Sequence, residues 1–488
     1  MSEINRLINA CLMPAFIGAE VPRWVHLALE DGLAGVCLYG HNVTAPGSGA
    51  STRDRVRAIS TSLRSTRPEV LLGLDEEGGD VTRLDYLVGS SYPGNLALGT
   101  VDDLALTEAV GEAIGAELVD VGVNVDFAPS VDVNSDPLNP VIGVRSFGAD
   151  PTLVARHGVA YVRGLQGTGV AAVVKHFPGH GATNVDSHLG LPVMDVDLET
   201  FRARDLAPFR ATIESGVEAV MTSHVVFPAI DGAPATLSRR LLSDLLRGDL
   251  GFSGVVVTDA LDMAGVRAMH GLFGAAARSL AAGADLLLLG AEDGEDQLTQ
   301  IHSRVLEDVA AGRLTEQRIG EAAARVTALQ ARVSSPPGAK PPRRGVGEDA
   351  ARRAVRSERL RPLHQPAVVV ELRATANMAV GDAVWSLADP LSEARFLREA
   401  VDVGPEGPEV DDVLMRAQGH PLVLVVRDAY RSDWQRAWVR DALGRRPDCV
   451  LVAVGMPDDQ DLTDGAFVAC HGAGRVNTAA AAQRLVAG

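Results

Sequence analysis

Short apolar runs alternate with helical patterns along the chain as far as residue 333. Most of the runs are apolar at every position, as are parallel strands that helices cover on both faces. Helical hydrophobic spacing lies between them, for example at residues 198–215, 238–246 and 271–282. The predicted strands are residues 10–17, 35–38, 70–74, 123–128, 171–174, 219–222, 254–258 and 284–289. Eight strand–helix units over this length predict an α/β fold, a (β/α)8 barrel of the TIM type.

A proline-rich segment follows the predicted barrel. Residues 334–347 hold four prolines, which makes them a semi-rigid linker. Beyond it, apolar runs near residues 367–372, 422–426, 450–454 and 467–469 again alternate with helical patterns. We therefore predict a catalytic barrel at residues 1–333, a linker at 334–347 and a smaller α/β sandwich domain at 348–488.

The composition limits the partners and the compartment of the chain. Of its 488 residues, 46% are hydrophobic and 22% are charged, which is typical of a soluble globular protein. The net charge of -18 argues against a nucleic-acid or anionic-membrane surface. Without a clear signal peptide or any apolar run of about 20 residues, we expect a cytoplasmic protein. The four cysteines form no C-x-x-C pair, and we expect buried thiols.

Polar clusters follow four of the predicted strands. They are Asp75-Glu76-Glu77-Gly78-Gly79, Lys175-His176, Ser223-His224 and Asp259-Ala260. Because the active sites of (β/α)8 barrels lie at the carboxyl ends of the strands, we expect these side chains to share one face.

The densest polar cluster lies at residues 175–188, which contain one lysine, three histidines and one aspartate. Lys175 is the only lysine before the linker in a chain that otherwise uses arginine, which indicates that a compact ammonium group is needed there. Asp186 precedes His188 by two residues, close enough to orient its imidazole. We expect His180, which lies between two glycines, to brace the loop. We expect residues 179–187 to be mobile and to close over a ligand.

Asp259 directly follows the apolar strand at residues 254–258. A carboxylate at that position is suited to be a nucleophile, a general base or a metal ligand. It is equally suited to cap the next helix, since aspartate is a favoured N-cap residue. Position alone does not decide between these roles. We assign Asp262 to the first turn of the next helix.

Five motifs resemble, in the same order, the signature of the β-N-acetylglucosaminidase branch of glycoside hydrolase family 3. They are Asp75-Glu76-Glu77-Gly78-Gly79 with Arg83, Val141-Ile142-Gly143-Val144-Arg145-Ser146-Phe147-Gly148, Lys175-His176-Phe177-Pro178-Gly179-His180-Gly181 with Asp186-Ser187-His188, Met221-Thr222-Ser223-His224 and Val257-Thr258-Asp259-Ala260-Leu261. The resemblance covers most of the predicted barrel. The C-terminal domain is similar, by weaker motifs, to the extra domain of some members.

The resemblance implies a retaining exo-β-N-acetylglucosaminidase that removes terminal β-linked GlcNAc through a covalent glycosyl-enzyme. Asp259 matches the nucleophile, His188 the general acid/base and Asp186 the residue that orients it. The residues that match those holding the sugar's hydroxyls are Asp75, Arg83, Arg145, Lys175 and His176. Neither a metal nor another cofactor is implied. GlcNAc-containing peptidoglycan fragments are the implied substrate. Asp80 departs from the pattern, because many relatives carry arginine there, and we expect it to affect leaving-group preference and not the reaction class.

Three alternatives remain open. A phosphorylase would use the same residues with phosphate in place of water, since a neutral histidine does not repel phosphate as a carboxylate would. A metal-dependent barrel hydrolase would hold zinc with some of His176, His180, His188, His224 and Asp259. A sugar-binding relative without catalysis would lack the nucleophile or the dyad, both of which are present.

Overall fold

The computed structural model describes residues 2–44, 51–183, 185, 190–334, 343–373, 380–381 and 385–487, without the side chains of residues 264 and 268–270. By contacts the chain divides into two compact units. The barrel unit is Met1–Glu77, Thr107–Ile142 and Gly148–Arg343, and the C-terminal unit is Gly78–Leu106, Gly143–Phe147 and Arg344–Gly488.

All eight predicted strands are present in the barrel unit, together with a short hairpin, β7–β8. The strands are β1 (Leu12–Met13), β2 (Gly35–Cys37), β3 (Leu71–Leu74), β4 (Val125–Asp126), β5 (Ala171–Phe177), β6 (Ala219–Thr222), β7 (Val226–Phe227), β8 (Asp231–Pro234), β9 (Val255–Val257) and β10 (Leu287–Leu288). Parallel ladders join β2, β3, β4, β5, β6 and β9 in that order, and β1 pairs with β10.

Backbone hydrogen bonds close these two sheets into a ring. The amide of Thr258, just after β9, donates to the carbonyl of Leu286 at 2.9 Å, which joins β9 to the β10 segment. The amide of Cys37 in β2 donates to the carbonyl of Pro14 at 3.0 Å, which joins β2 to the β1 segment. One buried apolar cluster contains residues from all eight strand segments. The predicted (β/α)8 barrel is therefore confirmed.

The strand lengths differ from those predicted in a way that affects the site. β1 and β4 have two residues each, shorter than the apolar runs that predicted them. β5 is longer and contains Lys175 and His176, which we predicted to follow it. The extension has partners on both sides, since Lys175 bridges Ser130 and Phe177 pairs with Thr222.

Helices fill the connections between the strands. Those before the linker are α1 (Glu3–Asn9), α2 (Arg23–Glu30), α3 (Gly40–Val43), α4 (Thr52–Thr66), α5 (Asn95–Val101), α6 (Leu104–Asp120), α7 (Pro151–Gly167), α8 (Leu198–Thr200), α9 (Leu206–Glu214), α10 (Ala264–Ala282), α11 (Gly294–Ala310) and α12 (Glu316–Val333). Two further segments, Phe201–Asp205 and Arg240–Asp249, are π-helical. The start of α12 is fixed by Thr315, whose hydroxyl accepts a hydrogen bond from the Arg318 amide at 3.1 Å.

The C-terminal unit is built on a six-stranded sheet with the order β11-β16-β15-β14-β12-β13. Its strands are β11 (Arg356–Glu358), β12 (Ala367–Leu372), β13 (Leu397–Val403), β14 (Leu422–Val426), β15 (Val450–Ala453) and β16 (Ala466–Ala469). Its helices from residue 346 onward are α13 (Val346–Ala354), α14 (Ala388–Glu393), α15 (Val410–Arg416), α16 (Asp433–Arg445) and α17 (Arg475–Ala487). Alternate residues of the central strands enter two separate apolar clusters, one on each face. The predicted α/β sandwich is confirmed.

The sequence missed the two edge strands, β11 and β13. Both expose polar side chains, and β13 mixes charged with apolar residues instead of forming an apolar run. An edge strand has a neighbour on one side only, so it gives a weaker hydrophobic signal than a central strand.

The contact division differs from the predicted boundaries in two loops. Gly78–Leu106 follows β3 and Gly143–Phe147 follows β4, yet both belong to the C-terminal unit. The physical reason is packing within that unit, where α5 contacts α13 and the Cβ position of Gly99 meets the carbonyl of Phe147. The boundaries at residues 1–333, 334–347 and 348–488 stay a prediction. Most of the linker, residues 335–342, lies outside the described residues.

The four cysteines are buried, as predicted, and form no disulfide. Among the described residues, no helix is both long and apolar enough to cross a membrane.

The close approach of β2 to β3 generates a stability prediction. A Cβ atom on Gly35 would lie 2.0 Å from the carbonyl oxygen of Leu71. We expect Gly35→Ala to force the strands apart and lower the free energy of unfolding by about 1–3 kcal/mol in urea titrations. Gly320→Ala in α12 is the control, because its Cβ meets no atom within 4 Å. That variant should gain up to about 1 kcal/mol, and equal effects at both sites would contradict the prediction.

Candidate active site

A buried ammonium group lies at the carboxyl end of the barrel strands. Lys175 Nζ lies 2.6 Å from Asp75 Oδ1 and 2.7 Å from Glu77 Oε1. The side chains of Lys175 and Glu77 are each 2% exposed, whereas that of Asp75 is 18% exposed. Because a buried ion without a partner costs several kcal/mol, the two carboxylates are required to hold the lysine there. Asp75 is the more accessible carboxylate and the one suited to meet a ligand.

Asp126, on β4, supports this cluster from inside the barrel. Its Oδ1 accepts a hydrogen bond from the Glu76 amide at 3.0 Å. Burial, reinforced by the nearby carboxylates of Glu76 and Asp75, raises the pKa of Asp126 well above its usual value. Burial thus disfavours the charged form of this carboxyl group beside Asp75.

A second buried pair orients His176. Its Nδ1 lies 2.7 Å from Oδ2 of Asp132, a carboxylate with no exposed surface. Burial raises the pKa of Asp132, but the interactions with His176 outweigh burial and hold it below its usual value. The carboxylate therefore accepts the Nδ1–H of His176, and the tautomer leaves Nε2 as the atom that can face a ligand.

The same carboxylate fixes the beginning of the predicted mobile loop. Asp132 Oδ1 accepts from the His180 amide at 2.7 Å, and Asn139 donates to the His180 carbonyl at 2.9 Å. His180 Nδ1 lies 2.8 Å from the hydroxyl of Thr183. A Cβ on Gly181 would lie 2.0 Å from the carbonyl of Val133. His180 thus braces its loop, as predicted, and these contacts hold residues 180–183. The mobility of residues 179–187 stays a prediction, because residues 184 and 186–187 lie outside the described residues.

Asp259 lies at the end of β9, half-buried, with Oδ1 accepting from the Ala260 amide at 2.8 Å. The N-cap residue of α10 is Met263, so the helix-capping interpretation of Asp259 is wrong. Asp262 precedes the helix and is not in its first turn, which corrects that prediction too. The charge of Asp259 acts on the pKa values of both His180 and Asp262. Its carboxylate is therefore within electrostatic reach of the His180 loop.

His224 supports the Asp259 segment from the neighbouring strand. Its Nε2 lies 3.0 Å from the carbonyl of Ala260, and its Nδ1 lies 2.8 Å from the hydroxyl of Thr236. A carbonyl only accepts, so Nε2 carries a proton, while Nδ1 contacts the hydroxyl of Thr236, which itself donates to the Ser223 carbonyl at 2.9 Å. Both ring nitrogens are therefore committed to structure.

The structure brings together some of the predicted site residues and leaves others apart. Asp75 and Lys175 are in contact, and His176 and Asp259 lie in the same unit. Arg83 and Arg145 belong to the C-terminal unit, where the Arg145 carbonyl accepts from Asn95 at 2.7 Å. Asp186 and His188 lie outside the described residues.

Two polar residues of this site were missed by the sequence reasoning. Glu77 was part of a quoted motif, and its position after β3 was the available signal. Asp132 follows β4 by six residues, between two valines, and no local pattern distinguishes it from a loop residue. Its role arises only because Asp132 contacts His176 and His180 across the fold.

The zinc alternative gains no support from this part of the chain. Within the described residues, no three His, Cys, Asp or Glu side chains form a group that could hold a metal ion. His224 is committed to two hydrogen bonds, and His176 directs one nitrogen to Asp132.

Burial of His180 generates a pH prediction. Burial, and then the charge of His176, lower the pKa of His180 to about 4 from 6.5. Folding thus favours neutral His180, so its stabilisation is complete above pH 6.5 and is lost as the pH falls towards 4. Between pH 7 and pH 5 we expect His180 to account for about 2 kcal/mol of lost stability in urea titrations.

The variant His180→Asn should reduce this pH dependence by that amount. His364→Asn, at an exposed position, serves as the control and should leave it unchanged. Identical pH dependence in His180→Asn and the wild-type protein would refute the assignment.

The chain is similar to known proteins over both units. The model of the glycosyl hydrolase family 3 N-terminal domain matches residues 19–329. A β-hexosaminidase A from Pseudoalteromonas piscicida is 34% identical over 333 residues, which cover 64% of this chain and 55% of that protein. A β-hexosaminidase from Xanthomonas oryzae pv. oryzae is 37% identical over 279 residues, covering 56% of this chain and 80% of the relative.

A solved structure gives the same result over nearly the whole chain. It is that of a glycoside hydrolase family 3 β-N-acetylglucosaminidase from Paenibacillus sp. str. FPU-7, with a TM-score of 0.89 and 32% identity. The match covers 99% of this chain and 97% of that one. The chain therefore belongs to glycosyl hydrolase family 3, in the β-N-acetylglucosaminidase branch that its five motifs predicted.

Proposed function

We propose that this protein is a retaining exo-β-N-acetylglucosaminidase that removes terminal β-linked GlcNAc. The observation that carries the proposal is the position of Asp259. Its carboxylate caps no helix and lies at the end of β9, on the barrel face that also bears the Lys175–Asp75 pair. The β-hexosaminidase relatives support the same activity.

In the proposed first step, Asp259 attacks the anomeric carbon and the bond to the leaving-group oxygen breaks. His188 donates its proton to that oxygen, and Asp186 holds the imidazole in position. The product is a covalent glycosyl-aspartate. In the second step His188 accepts a proton from water, the water oxygen attacks the anomeric carbon, and the bond to Asp259 breaks, which releases the sugar with retained configuration. An imidazole suits both steps, because it titrates near neutral pH and can donate and then accept a proton.

The sugar in this proposal is held by charged groups. Asp75 accepts hydrogen bonds from hydroxyls, Lys175 reinforces it, and His176 offers Nε2. These groups are fixed before substrate arrives, because Glu77 and Asp132 hold them. Hydrogen bonds from the sugar hydroxyls to such fixed groups strengthen as positive charge develops on the ring in the transition state. Arg83 and Arg145 complete the set of proposed sugar-binding residues by family resemblance.

The natural substrate is proposed on resemblance alone. We propose GlcNAc-containing fragments of peptidoglycan, processed in the cytoplasm. The second candidate activity is a phosphorylase, in which phosphate takes the place of water in the second step. A histidine acid/base suits it, because a neutral imidazole does not repel the phosphate anion.

Product analysis on an aryl β-GlcNAc tests the proposal, using chelator-treated enzyme with and without phosphate. We expect free GlcNAc in an amount that phosphate does not change. GlcNAc-1-phosphate that rises with phosphate would establish the phosphorylase instead. Activity lost to the chelator would favour the metal alternative, and absence of turnover would refute the proposed substrate. As a control for background hydrolysis, Asp259→Asn should lower kcat at least about 10³-fold, while Asp262→Asn keeps most of it.

The buried Asp132 gives a second test of the proposed site. We expect Asp132→Asn to lower kcat/KM about 10–100-fold, because the amide cannot fix the His176 tautomer as the carboxylate does. Asp285→Asn is the matched control, since Asp285 is equally buried and is paired with Arg318 at 2.6 Å. That control should lose stability and keep its kcat/KM. A similar loss of kcat/KM in both variants would show only a general weakening of the barrel.

A further inference from the structure

We propose that Asp80 is a positioning residue for Arg83, and that the contacts of Asp80 with Arg427 and Ala473 thereby set how tightly Arg83 binds the sugar. The sequence predicted an effect of Asp80 on leaving-group preference, and from its contacts we infer a different role. The inference rests on the proposed function, in which Arg83 binds the sugar. It concerns residues of the C-terminal unit only.

Both oxygens of the Asp80 carboxylate have partners in that unit. Oδ2 forms an ion pair with Arg427 Nη2 at 2.6 Å, and Oδ1 accepts from the Ala473 amide at 2.7 Å. The Asp80 side chain is 1% exposed. A buried carboxylate that lost either partner would keep an uncompensated charge, so the segment cannot leave this position without a large cost in free energy.

The partners of Asp80 lie beyond the carboxyl ends of two strands of the C-terminal sheet. Arg427 directly follows β14, and Ala473 follows β16, a strand parallel to β14 through β15. Ala473 also lies just before α17, a helix of 13 residues. Amides at a helix start and the helix dipole both favour an anion there. Residues that follow the sheet strands and precede α17 therefore hold Asp80 in place.

The backbone beside Asp80 has no room to move. Gly79 has a φ of +60°, and a Cβ there would lie 2.6 Å from Gly94 Cα. The Gly79 amide donates to the carbonyl of Tyr92 at 2.8 Å. A Cβ on Gly474 would lie 3.2 Å from Gly79 Cα. Gly79 is thus enclosed between residues 92–94 and the start of α17.

Arg83 lies only three residues beyond this anchor. The connection is a compact turn, in which the Val81 amide donates to Gly78 and the Asp85 amide donates to the Thr82 hydroxyl. Arg83 is itself buried, with its guanidinium carbon 5.9 Å from the centre of the Tyr86 ring. A turn this short transmits any displacement of Asp80 to Arg83. A misplacement of about 1 Å in a site of this kind is enough to change the kinetics.

The test compares Asp80→Asn, Arg427→Met and the double variant on an aryl β-GlcNAc. Asparagine keeps an acceptor for the Ala473 amide and removes only the charge. We expect each single variant to raise KM about 5–10-fold with kcat within about twofold, because Arg83 binds ground state and transition state alike. The double variant should resemble either single one, since both changes remove the same ion pair. Arg427→Lys, which keeps the positive charge, should retain most of the affinity for the substrate.

Glu371→Gln is the matched control in the same unit. Glu371 is a buried carboxylate that pairs with Arg373 at 2.5 Å and accepts from the Leu387 amide at 2.6 Å. Its environment therefore resembles that of Asp80, but it lies far along the chain from Arg83. We expect it to lower the Tm as Asp80→Asn does and to leave KM unchanged.

The outcomes separate this inference from the proposed function. An unchanged KM in Asp80→Asn and Arg427→Met, with an active wild-type enzyme, overturns the inference and leaves the proposed function intact. A KM raised equally by Glu371→Gln overturns it as well, because the effect would then be a general loosening of the unit. A wild-type enzyme that turns over no β-GlcNAc substrate overturns the proposed function, and the inference with it.

Discussion

The ion pairs of Lys175 are the interaction on which the candidate site depends. The lysine lies on β5 and its two carboxylate partners follow β3, with β4 between these strands. The long lysine side chain therefore crosses the barrel mouth and joins two strands that are not neighbours. A buried ammonium is tolerated only with such partners. The charge of Lys175 therefore both orients Asp75 for a ligand and links β5 to the segment after β3. Asp126 supports this cluster from β4, where its Oδ1 accepts a hydrogen bond from the Glu76 amide at 3.0 Å.

Asp132 extends this principle to the histidines. One buried carboxylate accepts from the ring of His176 and from the amide of His180, so it links a predicted sugar-binding residue to the start of the loop that leads to His188. The groups that meet substrate in the proposed function are thus held by carboxylates that do not. Such preorganisation supplies oriented charge at the moment of reaction without rearrangement of the protein.

The loops after β3 and β4 carry the two predicted sugar-binding residues that lie outside the barrel unit. Each begins at a barrel strand, yet by contacts each belongs to the C-terminal unit, and each carries one of the two predicted sugar-binding arginines. Asp80 is the best-defined anchor of the first loop. The C-terminal unit is therefore more than an appended domain in this proposal, because residues after the linker hold a loop that precedes it.

The sequence by itself determined the eight barrel strands, the central strands of the second sheet and the family, because runs of apolar residues and ordered motifs are local signals. It did not determine the edge strands β11 and β13, because their polar residues interrupt the apolar pattern. It also did not determine whether Asp259 caps a helix. Only the tertiary structure decided the partners of Lys175, His176 and Asp80. Their partners are 44 to 393 residues away in the chain. A hydrogen bond or ion pair over that separation depends on how the strands are arranged in space, and no local pattern records it.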